Sequence, residues 1–130
     1  MGLFDFFKKE PDNRIEAPKD KYWSLTTAKG EVIDPTWEQI KETLADITHQ
    51  ELEFVTLGCI HSDLEIEMIQ AVDIGEGYRL EALPPEQSSD YGKVFVNSGI
   101  SYEELVNQFE EFHTNEKVMG FRSWPSEKYK

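Results

Sequence analysis

A chain of 130 residues with 38% hydrophobic and 12% aromatic content suits one domain with a packed core, not a disordered polar tail. Its 26 acids against 13 bases give a net charge of −13, a poor match to nucleic acid, whose phosphates call for clustered Lys and Arg. The lone Cys59 rules out an internal disulfide and every multi-cysteine zinc pattern, and it suits a reducing cytoplasm.

The opening "MGLFDFFKKEP" carries Phe4, Phe6 and Phe7 ahead of Lys8 and Lys9. A secretory signal places its charge first and has a longer apolar core, so none is expected, and no apolar run approaches the roughly 20 residues that cross a bilayer. Residues 1–20, with two prolines and many charges, read as an N-terminal arm or short docking helix; residues 21–130 read as a single domain. Tyr22 to Thr27 has strand composition and Lys29-Gly30 is a turn signal, so a strand or short hairpin is expected. Asp34-Pro35 then has the form of a helix start, an acid before a proline. Trp37, Ile40, Leu44 and Ile47 recur at helical spacing and predict an amphipathic helix to about Thr48, with Glu38, Glu42 and Asp46 on another face.

Four runs follow, "EFVTLGCI", "LEIEMIQAV", "YRLEAL" and "KVFVN", each alternating like a strand and separated by short turn segments. Gaps this short fit antiparallel neighbours, because a parallel crossover needs a dozen residues or more. Ser101 with Glu104 forms a capping-box signature, and Leu105, Phe109 and Phe112 mark the core stripe of a second helix ending near Asn115. "KVMGFRSW" is available as a last strand. The expected fold is α+β: an antiparallel sheet of four to six strands, the Tyr22 strand at one edge, with two main helices packed on one face.

The charge is concentrated. Residues 31–81 hold thirteen acids against Lys41 and Arg79, for −11, whereas residues 1–30 sum to +1. If Asp63, Glu65 and Glu67 lie on one strand, alternation puts them on the same face, about 7 Å apart. Such a row is an acid–base or metal site, a surface aimed at a basic partner, or a solvated strand face. Acid–base work needs one carboxyl in an apolar pocket, and calcium needs a glycine-containing loop of ligands; neither pattern is present. His49, His61 and His113 are widely separated, and Cys59 alternates with Val55 and Leu57 as a core residue would. No nucleophile elbow, P-loop, zinc-protease pair or dinucleotide glycine pattern occurs. An enzyme, a cofactor and a metal site are therefore not expected. The candidate partner-binding residues are Asp63, Glu65, Glu67, Asp73, Glu76, Glu81 and Trp124, with a basic protein as the partner.

The order of elements carries a resemblance. A strand, the Trp-bearing helix "PTWEQIKETLADI", the strands "EFVTL" and "YRLEAL", the helix "SYEELVNQFEEF" and a closing Trp124 are similar to small immunity proteins of bacterial polymorphic-toxin and contact-dependent-inhibition systems. The likeness spans about residues 22–125 and leaves the N-terminal arm outside it. It implies a cytoplasmic α+β protein without catalytic residues that neutralises a cognate toxin domain, often a nuclease with a basic cleft. The alternative reading is a small acidic adaptor or regulatory domain that binds through its Phe-rich N-terminus.

Overall fold

Alternation along the strands settles the architecture. In the computed structural model, which describes residues 20–49 and 53–128, seven strands form one antiparallel sheet in the order β2-β1-β3-β4-β5-β6-β7. They are β1 (Tyr22–Thr27), β2 (Gly30–Ile33), β3 (Phe54–Ile60), β4 (Met68–Asp73), β5 (Tyr78–Leu83), β6 (Lys93–Ile100) and β7 (Ser126–Lys128). The register sets Leu25 beside Leu57, Leu57 beside Ile69, Ile69 beside Ala82, and Ala82 beside Phe95. These residues share one face and are buried in the same cluster as Val55, Cys59, Ala71 and Leu80.

Helices α1 (Trp37–Thr48) and α2 (Tyr102–Asn115) cover that face. Each contributes one stripe, Ile40, Leu44 and Ile47 from α1 and Leu105, Phe109 and Phe112 from α2, all fully buried. Trp37 at the start of α1 stacks on His113 near the end of α2, so the two helices run antiparallel. Strands β2 and β3 run in the same direction on either side of β1, and α1 supplies the long connection such a crossover needs.

The α+β class and the antiparallel sheet match expectation; the strand count does not. The Ala28-Lys29 turn closes a short hairpin, so β2 is the edge and the Tyr22 strand lies inside it. At the other end the segment predicted as a strand, "KVMGFRSW", forms a turn and a 3-10 helix (Phe121–Ser123), and β7 begins only at Ser126. Gly120 enters that turn at φ 73, a left-handed conformation that glycine adopts without steric cost. The arm of residues 1–19, including Phe4, Phe6 and Phe7, lies outside the described residues.

Local chemistry fixes the helix ends. Thr36, not Asp34, caps α1: its hydroxyl accepts from Gln39 N–H at 3.1 Å, and Gln39 Oε1 accepts from Thr36 N–H at 2.8 Å. Asp34 instead closes the β1–β2 hairpin, donating its N–H to Trp23 C=O and accepting the Trp23 N–H on its carboxylate. A competing local bond has displaced the expected cap by two residues. Ser101 caps α2, accepting from Glu104 N–H at 3.1 Å, which is one half of the expected capping box; the reciprocal bond from Ser101 N–H to the Glu104 carboxylate is not formed. Between β5 and β6 the pairing shifts from Tyr78↔Ile100 to Arg79↔Ser98, leaving Gly99 as the extra residue of a bulge at φ 78. Opposite it, Gly77 has φ 101, and a Cβ there would sit 2.8 Å from the Ile100 carbonyl oxygen.

Thermal and urea denaturation test these assignments. Thr36→Ala and Ser101→Ala each lower stability by about 1 kcal/mol. Gly77→Ala, strained in backbone and in space at once, lowers it by about 2 kcal/mol. Melting curves that coincide with wild type contradict the corresponding assignment.

Candidate functional site

The carboxylate row is not a strand. Strand β3 ends at Ile60 and β4 begins at Met68; residues between them turn outward, starting with His61 at φ 61. The last cross-strand bonds run from Cys59 N–H to Glu67 C=O and from Glu67 N–H to Leu83 C=O. Among the described residues no strand pairs with β3 beyond Ile60 on the Tyr22 side, and residues 61–66 leave the sheet there. There Ile66 is buried, and Ser62 donates its hydroxyl to the Cys59 carbonyl at 2.7 Å. The common face expected for Asp63, Glu65 and Glu67 does not exist.

Asp63 and Glu65 instead stand on one wall of an open cleft of about 440 Å³. Leu64 and Ile66 join them, and Val118, Met119 and Phe121 form the facing wall. Glu65 and Glu116 on this rim already have cations from the same chain. Arg122 binds Glu65 at 3.0 Å and Asp90 at 3.3 Å, with its guanidinium over the Phe121 ring, and Lys21 binds Glu116 at 2.7 Å. The Arg122 guanidinium, followed by Lys93, holds the Asp90 carboxyl below the usual range. Exposed pairs of this kind add little stability, but they lower the charge a partner meets.

Glu67 points elsewhere, into a shallow depression with Met68, Leu83, Pro84 and Glu86. Partial burial pushes its pKa up; His61 opposes the shift and Glu86 adds to it. Asp73 and Glu76 belong to the β4–β5 hairpin, where the Asp73 carboxylate accepts the Gly75 N–H at 2.8 Å. Glu81 lies on the sheet face away from the helices and is fully engaged, by Gln70 at 2.9 Å and Arg79 at 2.7 Å. Trp124 is half-buried against the core. The six acids are thus spread over the cleft, the depression, a hairpin and the open sheet face.

Two arrangements stand out that a reading by chain segment passes over. On the open sheet face a polar ladder crosses from β3 to β7. Thr56 Oγ1 donates to Gln70 Oε1, Gln70 Nε2 to Glu81, Arg79 Nε to Glu81, and Arg79 Nη2 to Glu127. The alternation of "VTL", "IQA" and "YRLEAL" already places these residues opposite the core. The second arrangement is the outer surface of the helical layer. The two helices carry Glu38, Glu42, Asp46, Glu103, Glu104, Glu110 and Glu111 against the single base Lys41. Glu38, Glu42, Glu103, Glu104 and Glu110 are exposed. Because α2 lies outside residues 31–81, charge counting along the chain separates acids that the fold joins.

Among the described residues no group of three or more His, Cys, Asp or Glu side chains is placed to hold a metal ion. Cys59 is buried and its thiol is pushed up by desolvation, the character of a packed core residue. His113 is held between the Trp23 and Trp37 rings, at 5.1 and 6.3 Å. No described helix is long and apolar enough to cross a membrane. Comparison with protein-family models, with curated proteins and with solved structures finds no match to this chain.

Glu67 gives a pH test. A carboxyl whose folded pKa is raised above its ordinary 4.5 favours folding when protonated, and that contribution is lost as pH rises through the folded value. Glu67→Gln therefore raises the melting temperature at neutral pH and leaves it unchanged in acid well below 4.5, where the wild-type carboxyl is protonated folded or unfolded. A gain of equal size at both pH values contradicts this account.

Proposed function

We propose that the protein is a non-catalytic binding protein that recognises a basic protein surface, and that this partner is a toxin domain which it neutralises. The observation that carries the reading is the helical layer, seven acids against one base on two antiparallel helices. A layer of one sign attracts a cationic surface at long range and accelerates its association. The same field repels nucleic acid. An immunity protein needs no chemistry of its own, and the reading follows the resemblance in element order described above. The cleft beside Asp63 and Glu65 is a secondary contact, since Arg122 already occupies Glu65.

The test uses, as partner, a toxin domain found encoded beside the gene. Glu42→Gln, Glu110→Gln and Glu111→Gln, made together, remove three charges from the helical surface while keeping shape, so circular dichroism and the melting temperature stay close to wild type. The association rate in stopped-flow mixing falls about tenfold at low salt. The difference closes as added salt shortens the screening length to about 8 Å and less. Asp63→Asn with Glu65→Gln has the smaller effect. Wild-type rates for the helical variant at both salt levels overturn the proposal.

A further inference from the structure

The two edges of the sheet are built differently. Strand β7, at one edge, is a three-residue Ser-Glu-Lys segment, and Glu127 is tied to Arg79. Charged, short edges of this kind resist pairing with other chains. At the other edge, all four residues of β2 are exposed, and Val32 and Ile33 are 41% and 52% accessible. Glu31, the one charge within β2, bonds to the Ser24 hydroxyl across the hairpin. The Asp34 N–H donates to Trp23 C=O, and pairing alternates, so Gly30 and Val32 bond inward to β1. The backbone N–H and C=O groups of Glu31 and Ile33 therefore point away from the sheet.

We infer that β2 takes up an extended strand of a basic protein as an eighth, antiparallel strand. Three observations select that occupant. The outward backbone groups of Glu31 and Ile33 form the hydrogen-bonding complement of a strand. Val32 shares the face of Leu25 and Ile33 the face of Ser24, so the two apolar side chains lie on opposite sides of the sheet. A helix or a flat surface covers one of them; a strand flanks both. The exposed Asp34 follows directly and the exposed Glu38 stands in the first turn of α1, two carboxylates suited to Lys or Arg at the start of the incoming strand. A second copy of this chain is disfavoured, because pairing two edges brings two molecules of charge −13 together. The inference rests on the basic-partner reading but concerns a different surface.

The probe is a capped octapeptide with two lysines followed by alternating threonine and valine, titrated into the isotopically labelled full chain. Two controls have a central proline or glutamates in place of the lysines. Backbone amide shifts move at Glu31 and Ile33 with the lysine peptide, and both controls bind at least fivefold more weakly. Ile33→Pro removes an outward N–H that β1 does not use, leaves the shifts of β1 and β3 in place, and weakens the peptide about fivefold. Ile33→Ala keeps the N–H and serves as the control for the lost side chain. If Ile33→Pro binds no worse than Ile33→Ala, or the proline peptide binds as well as the parent, the strand inference is wrong. Shifts confined to α1 and α2 sink it too, while leaving the acidic-surface reading standing. Binding of the glutamate peptide at equal strength removes the basic occupant.

Discussion

Everything in this fold depends on one face of the sheet carrying the main core cluster. Period-two alternation sends Leu25, Val55, Leu57, Ile69, Leu80 and Ala82 to a single face, and burying that face requires a second layer. Two helices meet the need because each presents one stripe of large side chains, with Phe109 and Phe112 filling the centre. The positions left over are then forced outward. Exposed acids of the helices face outward, and Thr56, Gln70, Arg79 and Glu81 lie on the opposite side of the sheet, which they share with Val94 and Val96. A surface suited to binding is thus a by-product of where the core lies.

That geometry separates two kinds of acid. Glu81, Glu65 and Glu116 bond to cations of the same chain, and their charge is largely spent within the molecule. Glu42, Glu104 and Glu110 lie on outward helical positions facing solvent. Net charge per segment cannot tell these apart, yet only the second kind acts on a distant partner. The candidate acids chosen by sequence, from Asp63 to Glu81, are consequently not one cluster in space.

Strand and helix identities were legible where periodicity and chemistry agreed. Leu105, Phe109 and Phe112 with Ser101 ahead of them define α2, and the structure keeps those bounds. Legibility failed where tertiary context decided. Asp34 has a good cap's chemistry, but the hairpin claims its side chain and Thr36 takes the helix. "DLEIE" alternates like a strand, but a strand needs a neighbour, and β3 has already ended. Short edges such as β2 and β7 carry weak composition signals, because packing contributes little to them; hence the undercount of strands. Of the candidate site, residue types and the shared layer of the two helices were readable, but side-chain proximity was not: nothing in the chain says that Arg122 meets Glu65.

The ladder from Thr56 to Glu127 has a bearing on how the chain avoids mistakes. Hydrophobic alternation rejects a slip of one residue between neighbouring strands, since that turns every core side chain to water, but it tolerates a slip of two. A two-residue slip of β5 against β4 keeps the greasy side inward and still moves Glu81 away from Gln70. Gln70 both accepts from Thr56 and donates to Glu81, so one displaced strand breaks the chain of donors on either side. Half-buried polar groups left without partners are costly. The outer face thereby acts as a proofreading mark for alignment, distinguishing the correct pairing from the near-miss that the core alone would accept.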